Sequence, residues 1–250
     1  MPISASVDKA KDREAVAYVD GQPYVGREYI GAAPKPGTAA YGTNVAGEGG
    51  PQAYLVMQPP GSVTRPHFHQ TNQFQVFVGG SGKVGKLRTD PVTVQYAGAD
   101  TPYGPIVAED DGIHYFTLRQ QWDSGAKYLP AQRDQLRKGQ QRQVVGVAGE
   151  TLPAGEAVDA AIGSEDLFPA EADGLLARVL RLPPNAVVEL PDAGDGGGQY
   201  HVVLSGTLVR DGEALDPMSL EFAFPDEGAV TVQAGPEGLA LLLARFPRAP

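Results

Sequence analysis

The sequence predicts an all-β chain in which one unit occurs twice, and three observations carry that prediction. Short apolar runs such as "AYLVMQ", "QFQVFVGG", "VTVQYA" and "HYFTLRQ" are each bounded by Gly, Pro, Asn or Asp, the pattern of strands joined by turns. The 250 residues contain 32 glycines and 22 prolines without a collagen-like period, which suits many turns better than long helices. The chain also repeats itself. A shift of 126 lays "QFQVFVGGSG" (73–82) over "QYHVVLSGTL" (199–208), "VTVQYAGAD" (92–100) over "MSLEFAFPD" (218–226), and "DGIHYFTLR" (111–119) over "EGLALLLAR" (237–245). Upstream, "QPPG" (58–61) matches "LPPN" (182–185) at a shift of 124, so a two-residue length difference falls between the prolines and the Gln-led strand.

Taken in order, residues 1–45 carry strand-like "VAYV" and "YVGREYI" between Gly/Pro turns and read as an N-terminal arm that supplies edge strands or dimer contacts. Residues 46–125 hold the first copy. Residues 126–168 change character to a basic, Gln-rich stretch followed by Gly/Pro turns and a short acidic run, and read as a connection. Within it Lys127, Arg133, Arg137, Lys138 and Arg142 make either a solvated linker, the plainer reading, or an anion-binding face. Residues 169–250 hold the second copy.

A net charge of −10 opposes unspecific attraction to nucleic acid and to anionic lipid, so neither is expected as a partner. With no cysteine, any metal must take imidazole, carboxylate, amide or water ligands. The N-terminal stretch carries charges where a secretory core would be apolar, and no apolar run approaches a membrane span, so a soluble cytoplasmic protein is expected. "GGSGKVGK" reads as a hairpin turn, because it lacks the spaced Gly-Lys-Ser/Thr of a phosphate loop.

The chemistry concentrates in "GSVTRPHFHQTNQFQVFVGGSG", residues 61–82. Residues two apart on a strand face the same side, so His67 and His69 project together, and the same parity brings Gln73, Gln75 and Phe77 to that face. Four buried polar side chains without an evident counter-charge call for a metal ion, ordered water or a polar ligand. Tyr103, in "TPYGPI", stands on a rigid loop from which its phenol can reach such a ligand; packing within the turn is the alternative.

This stretch resembles the first signature of the cupin superfamily, in which a Gly, five residues, His-x-His, a short spacer, a Glu and a later Gly frame a metal-binding strand pair. Gly61, His67, His69, Gln73 and Gly80 follow the spacing. The resemblance spans 53–120, and through the repeat 170–247. It implies two tandem cupin-type jelly-roll barrels, each with its site at the open mouth, and a homodimer, since cupins pair through edge strands. By the same resemblance His67, His69 and Gln73 are the metal ligands. Two departures stand out. Gln73 replaces the carboxylate, as in cupins of the mannose-phosphate isomerase type, and "PYGPIV" places Val107 where the second signature has its histidine. His114 is then the remaining candidate ligand in this copy.

Two functions follow from this reading. The first is a metal-dependent enzyme acting on a small organic, possibly flat or aromatic, molecule. Iron, zinc or manganese would sit on His67, His69 and Gln73, with Gln75 or Tyr103 orienting the substrate; iron would serve dioxygenase-like chemistry and zinc an isomerase or cyclase. Phe68, Phe74, Phe77, Tyr96 and Tyr115 suit such a substrate as well as they suit core packing. The second is a non-catalytic, small-molecule-binding or structural protein that has lost its metal. In the second copy no histidine precedes Gln199 and only His201 follows it. A satisfied core histidine is expected there, against a site made with Asp192 or Asp195.

Overall fold

The computed structural model describes residues 1–39, 41–42, 49–139, 141–149 and 162–249. Among these the strands in chain order are β1 (Ile3–Ala5), β2 (Glu14–Val19), β3 (Gln22–Ile30), β4 (Gln52–Gln58), β5 (Val63–Thr64), β6 (His67–Phe68), β7 (Gln73–Val84), β8 (Leu87–Thr89), β9 (Thr93–Ala97) and β10 (Ile106–Arg119). They continue with β11 (Lys127–Tyr128), β12 (Gln143–Val147), β13 (Gly163–Phe168), β14 (Leu176–Leu182), β15 (Val187–Glu189), β16 (Gln199–Arg210), β17 (Glu213–Leu215), β18 (Leu220–Ala223) and β19 (Thr231–Arg245). The fold is all-β, as the sequence predicts, and every pairing is antiparallel.

The chain divides into two compact units, Lys11–Val147 and Met1–Ala10 with Ala148–Pro250. In the first, hereafter the first barrel, the main sheet runs β12-β9-β7-β10-β4-β3-β2, and β6 with β11 forms a separate ribbon. In the second barrel the order is β1-β18-β16-β19-β14-β13, with β15 and β17 on its flanks. Residues 1–45, expected as one arm, are shared out: β1 joins the second barrel's edge, while β2 and β3 extend the first barrel's sheet. The stretch expected as a connection likewise contributes strands. β11 and β12 pair within the first barrel and β13 within the second, while residues 150–161 of that stretch lie outside the described residues.

The duplication is visible in the backbone. Gly80 and its repeat partner Gly206 both sit at positive φ, 65° and 68°, and a Cβ on either would lie 2.1 Å from the carbonyl oxygen of Gly112 or Gly238, again a repeat pair. Gly61 and Asn185, the turn residues after the paired prolines, share φ values of 67° and 59°. In each barrel the long central strands shift register around that close contact, between Ala108 and Ile113 on β10 and between Gly206 and Leu208 on β16. A bulge of this kind bends the sheet, which a barrel needs.

Inward and outward parity is kept along the first barrel's strands. Leu55, Phe74, Val76, Phe116 and Leu118 are buried on one face of the sheet. The other face carries side chains in cross-strand rows. Gln52 on β4 stands opposite Arg119 on β10; Tyr54 stands opposite Thr117, which stands opposite Gln75 on β7; Val56 stands opposite Tyr115, and Tyr115 opposite Phe77. Polarity falls from the first row to the third, and the third row belongs to an apolar cluster with Ile106 and Ile113. The second barrel is filled instead by aliphatic side chains, including Leu180, Leu182, Leu208, Leu239, Leu241 and Leu243.

Candidate functional site

The inward rows and the β6–β11 ribbon border a cavity of about 120 Å³ in the first barrel. His67, His69, Gln73, Gln75 and Tyr103 all line it, as do Arg119, Thr117 and five further tyrosines, 24, 41, 54, 115 and 128. His67 lies on β6 of the ribbon and His69 just beyond it, while Gln73 and Gln75 open β7 of the main sheet. A backbone bridge between His67 and Tyr103 fixes the phenol against the first imidazole, ring centroids 4.5 Å apart.

The hydrogen bonds assign the protons. Nδ1 of His67 lies 2.8 Å from the carbonyl oxygen of Arg65, which only accepts, so Nδ1 carries the hydrogen and Nε2 accepts from the Tyr103 hydroxyl at 2.9 Å. The Gln73 amide nitrogen donates in turn to the Tyr103 oxygen. Gln73 Oε1 then accepts from Arg119, at 3.0 Å from Nη2 and 3.3 Å from Nε. The result is a single-direction chain from guanidinium to amide to phenol to imidazole to backbone carbonyl.

His69 is held differently. Its Nδ1 lies 2.8 Å from Oδ1 of fully buried Asp123, and Nη2 of Arg119 stands 3.1 Å from Nδ1 and 3.2 Å from Nε2. Arg119, itself 1% exposed, completes its bonding on Gln52 Oε1 at 2.7 Å and the Tyr54 hydroxyl at 3.0 Å. Asp123 also accepts from the amide of Gly125 at 2.8 Å.

The electrostatics agree with these assignments. Burial, with the neighbouring His69 and Arg119, lowers the pKa of His67 to about 3, and burial with Arg119 lowers that of His69, so both rings are neutral near pH 7. Burial raises the Tyr103 phenol, which stays protonated. Burial would raise Asp123, but His69, Arg119 and the Gly125 amide outweigh it and hold the carboxyl well below its usual range. Of these two charged groups, Arg119 lines the cavity, and Asp123 lies behind His69 and outside the lining.

Divalent metal ligation was expected of His67, His69 and Gln73, and the three side chains do converge. Their donor atoms do not fit a metal. Nε2 of His67 is taken by Tyr103, Oε1 of Gln73 by two Arg119 donors, and a guanidinium group stands within 3.2 Å of both His69 nitrogens, so a permanent cation fills the place between imidazole and amide. Among the described residues no group of three or more His, Asp and Glu side chains is arranged to hold a metal. His114 does not supply the missing ligand. It alternates with Tyr115, Thr117 and Arg119, so it faces away from the cavity, half-buried beside Gly79. A bulge does occur at Glu109–Gly112, and the strand leaves it with the tyrosine rather than the histidine inward.

Of the aromatics considered for substrate contact, Tyr115 lines the cavity, whereas Phe68, Phe74, Phe77 and Tyr96 are core. Sequence reasoning missed Arg119, Asp123 and the tyrosines at 24, 41, 54 and 128. A signal for Arg119 was present, because a charged residue at the inward parity of an apolar strand recurs at Arg245 in the second copy.

In the second barrel the polar residues bond mainly to one another, though the buried Gln199 Oε1 has no hydrogen-bond partner among the described residues. His201 Nδ1 lies 2.7 Å from Glu221 Oε1, Arg210 reaches the same carboxylate at 2.6 Å, and Gln199 Nε2 lies 2.8 Å from His201 Nε2. Asp192 caps a turn through the amide of Gly194 and Asp195 pairs with Arg245, so neither joins His201.

Solved structures resemble the whole chain. A candidate dioxygenase from Nostoc punctiforme superposes with a TM-score of 0.64 at 12% identity, covering 100% of this chain and 87% of its own. An Escherichia coli pirin in complex with nickel(II) gives 0.58 at 11%, covering 100% of both chains, and an oxalate decarboxylase formate complex from Lactobacillus farciminis gives 0.58 at 12%, covering 98% and 86%. The chain has a tandem cupin fold. At these identities the bicupin architecture is what the likeness shows. No protein-family model and no curated protein matches the sequence. No helix among the described residues is long and apolar enough to cross a membrane.

Proposed function

We propose that this bicupin binds a small organic molecule in its first barrel without a metal ion, and that it is a binding protein rather than a metalloenzyme. The observation that carries the reading is the Arg119 guanidinium lodged between His69 and Gln73, with Tyr103 on His67. Every side chain expected to ligate a metal spends its donor atom on another side chain. Displacing the buried guanidinium from the amides and imidazole it bonds costs several kcal/mol, which a site of two imidazoles and an amide does not readily offset. What remains is a half-open, mostly apolar cavity with converging polar groups, the usual form of a small-molecule site.

Elemental analysis of protein expressed without a polyhistidine tag, followed by titration with cobalt(II), tests the proposal. The expected result is no stoichiometric iron, manganese or zinc and no cobalt absorption band that depends on His67 or His69. Near-stoichiometric metal that is lost in His67→Ala or His69→Ala overturns it and restores the metal-dependent enzyme, dioxygenase-like or isomerase-like.

A further inference from the structure

The hydrogen bonds around the cavity leave a specific remainder. In the row of Gln52 and Arg119, both Gln52 and Gln73 accept from Arg119, and the three reach on to Asp123, Ala32 and Tyr103. The neighbouring row is different. Gln75 Oε1 accepts from Gln95 at 3.0 Å, and the Gln75 amide nitrogen has no partner among the described residues although the residue is 3% exposed. Thr117, equally buried, has no hydrogen-bond partner there for its hydroxyl. Tyr54 accepts from Arg119 Nη1, which leaves its own hydroxyl proton to donate.

These three groups are neighbours by register. Thr117 on β10 stands directly opposite Tyr54 on β4 and opposite Gln75 on β7, and all three line the cavity. Strands lie about 4.8 Å apart, so the row spans roughly 10 Å with a donor on each strand. Deeper polar side chains are saturated: Tyr24 with Thr64 and Gln58, and Tyr115 with Gln58. The unspent hydrogen-bonding capacity of the cavity is therefore concentrated in one row, with a donor on each of its three strands.

Charge sharpens the choice. Arg119 follows Thr117 by two residues on the same face and lines the cavity, while the Asp123 carboxylate lies outside the lining. The positive group faces the cavity, which favours an anion over an ammonium. The remaining walls are apolar, including Val19, Val25, Val56, Pro34 and Pro36. A cavity of 120 Å³ matches a benzene-sized or branched four-carbon body, since a cavity of about 150 Å³ holds benzene.

We propose that the cavity takes a small monocarboxylate with a compact apolar body, its carboxylate accepting from the Tyr54, Thr117 and Gln75 donors beside Arg119. This rests on the reading of the first barrel as a metal-free binding pocket, and deepens it by naming the ligand class and the anchoring row.

The probes are isobutyrate, isobutanol and isobutylamine, titrated into the full chain with affinity read by protein-observed NMR. Isobutyrate is expected to bind at least about ten-fold more tightly than isobutanol, roughly the worth of one charge-assisted bond, with no binding of the amine. Thr117→Val and Gln75→Leu, each checked for folding by circular dichroism, should cut that preference to less than about three-fold, and Tyr54→Phe, at a half-buried position, gives an independent removal of one donor. Equal affinity for isobutyrate and isobutanol, or a preference untouched by all three substitutions, overturns the carboxylate inference and leaves a neutral binding pocket standing. Failure of all three probes to bind sinks the pocket as well.

Discussion

Arg119 donates twice to the amide oxygen of Gln73, from Nη2 at 3.0 Å and Nε at 3.3 Å, and this pair determines what the first barrel can hold. The guanidinium also donates to Gln52 and Tyr54, and its charge helps to hold the Asp123 carboxyl low. Arg119→Met keeps the volume and removes the charge, leaving two buried amide oxygens short of donors and Asp123 without that nearby cation. Each buried acceptor left unsatisfied costs about 1–3 kcal/mol. Urea denaturation of Arg119→Met should show that loss, and the double variant Arg119→Met with Asp123→Asn should recover part of it. Full additivity of the two changes contradicts the coupling of the two charges.

Acid should destabilise the chain well above the range where carboxylates titrate. In the folded protein His67 protonates only near pH 3, because burial and the neighbouring His69 oppose its charge, and His69 is shifted the same way by burial and Arg119. In the unfolded chain both take up protons below about pH 6.5. The unfolded state then binds more protons than the folded one, so stability is complete above that value and falls as pH drops toward 3. His67 alone gives a slope near pH 5 of about 1.4 kcal/mol per pH unit, and His69 adds to it with the same sign. His67→Asn should lower the slope measured by denaturant titration between pH 7 and 4.5 by about that amount, and an unchanged slope excludes His67 as a source.

Lys127 poses the opposite case. Its residue is 2% exposed and its Nζ has no hydrogen-bond partner among the described residues, while burial lowers its pKa against the pull of Asp123 and Asp100. An ammonium held this way costs more than an apolar chain of the same length. Lys127→Met is expected to raise stability by about 1–3 kcal/mol in thermal or urea denaturation. Destabilisation by that substitution reveals a partner for the ammonium.

Much of this was legible in the sequence because it rests on local periodicity. The two-residue strand period puts His67, His69, Gln73 and Gln75 around one space, and the shift of 126 locates both long central strands. The rest depends on what crosses from one element to another. Arg119 enters the metal position from the far end of β10, Asp123 reaches His69 from the segment after that strand, and Tyr24 and Tyr54 arrive on β3 and β4; nothing in the His-x-His stretch encodes these partners. Spacing specifies which donors converge but not which cation they meet, and here the chain supplies its own.

The glycines at 80 and 206 offer a test of the duplication that involves no ligand. Both adopt positive φ, and at both a Cβ would fall 2.1 Å from a carbonyl oxygen, of Gly112 and Gly238 in turn, with a second backbone carbon at 2.8 Å. Backbone of the facing strand cannot swing aside as a flexible side chain would, so the strain of the left-handed conformation and the steric overlap act together. Gly212 is the control: its φ is 82°, but a Cβ there meets nothing within 4 Å. Gly212→Ala should therefore show the conformational penalty alone, about 1–2 kcal/mol. Gly80→Ala and Gly206→Ala should each exceed it by at least about 2 kcal/mol, because overlap with fixed backbone adds to the same penalty. Denaturation of the three variants side by side decides the matter. If alanine at 80 or 206 is no worse than at 212, the close strand crossing is not a fixed feature of the repeat, and the bulges that curve both barrels need another cause.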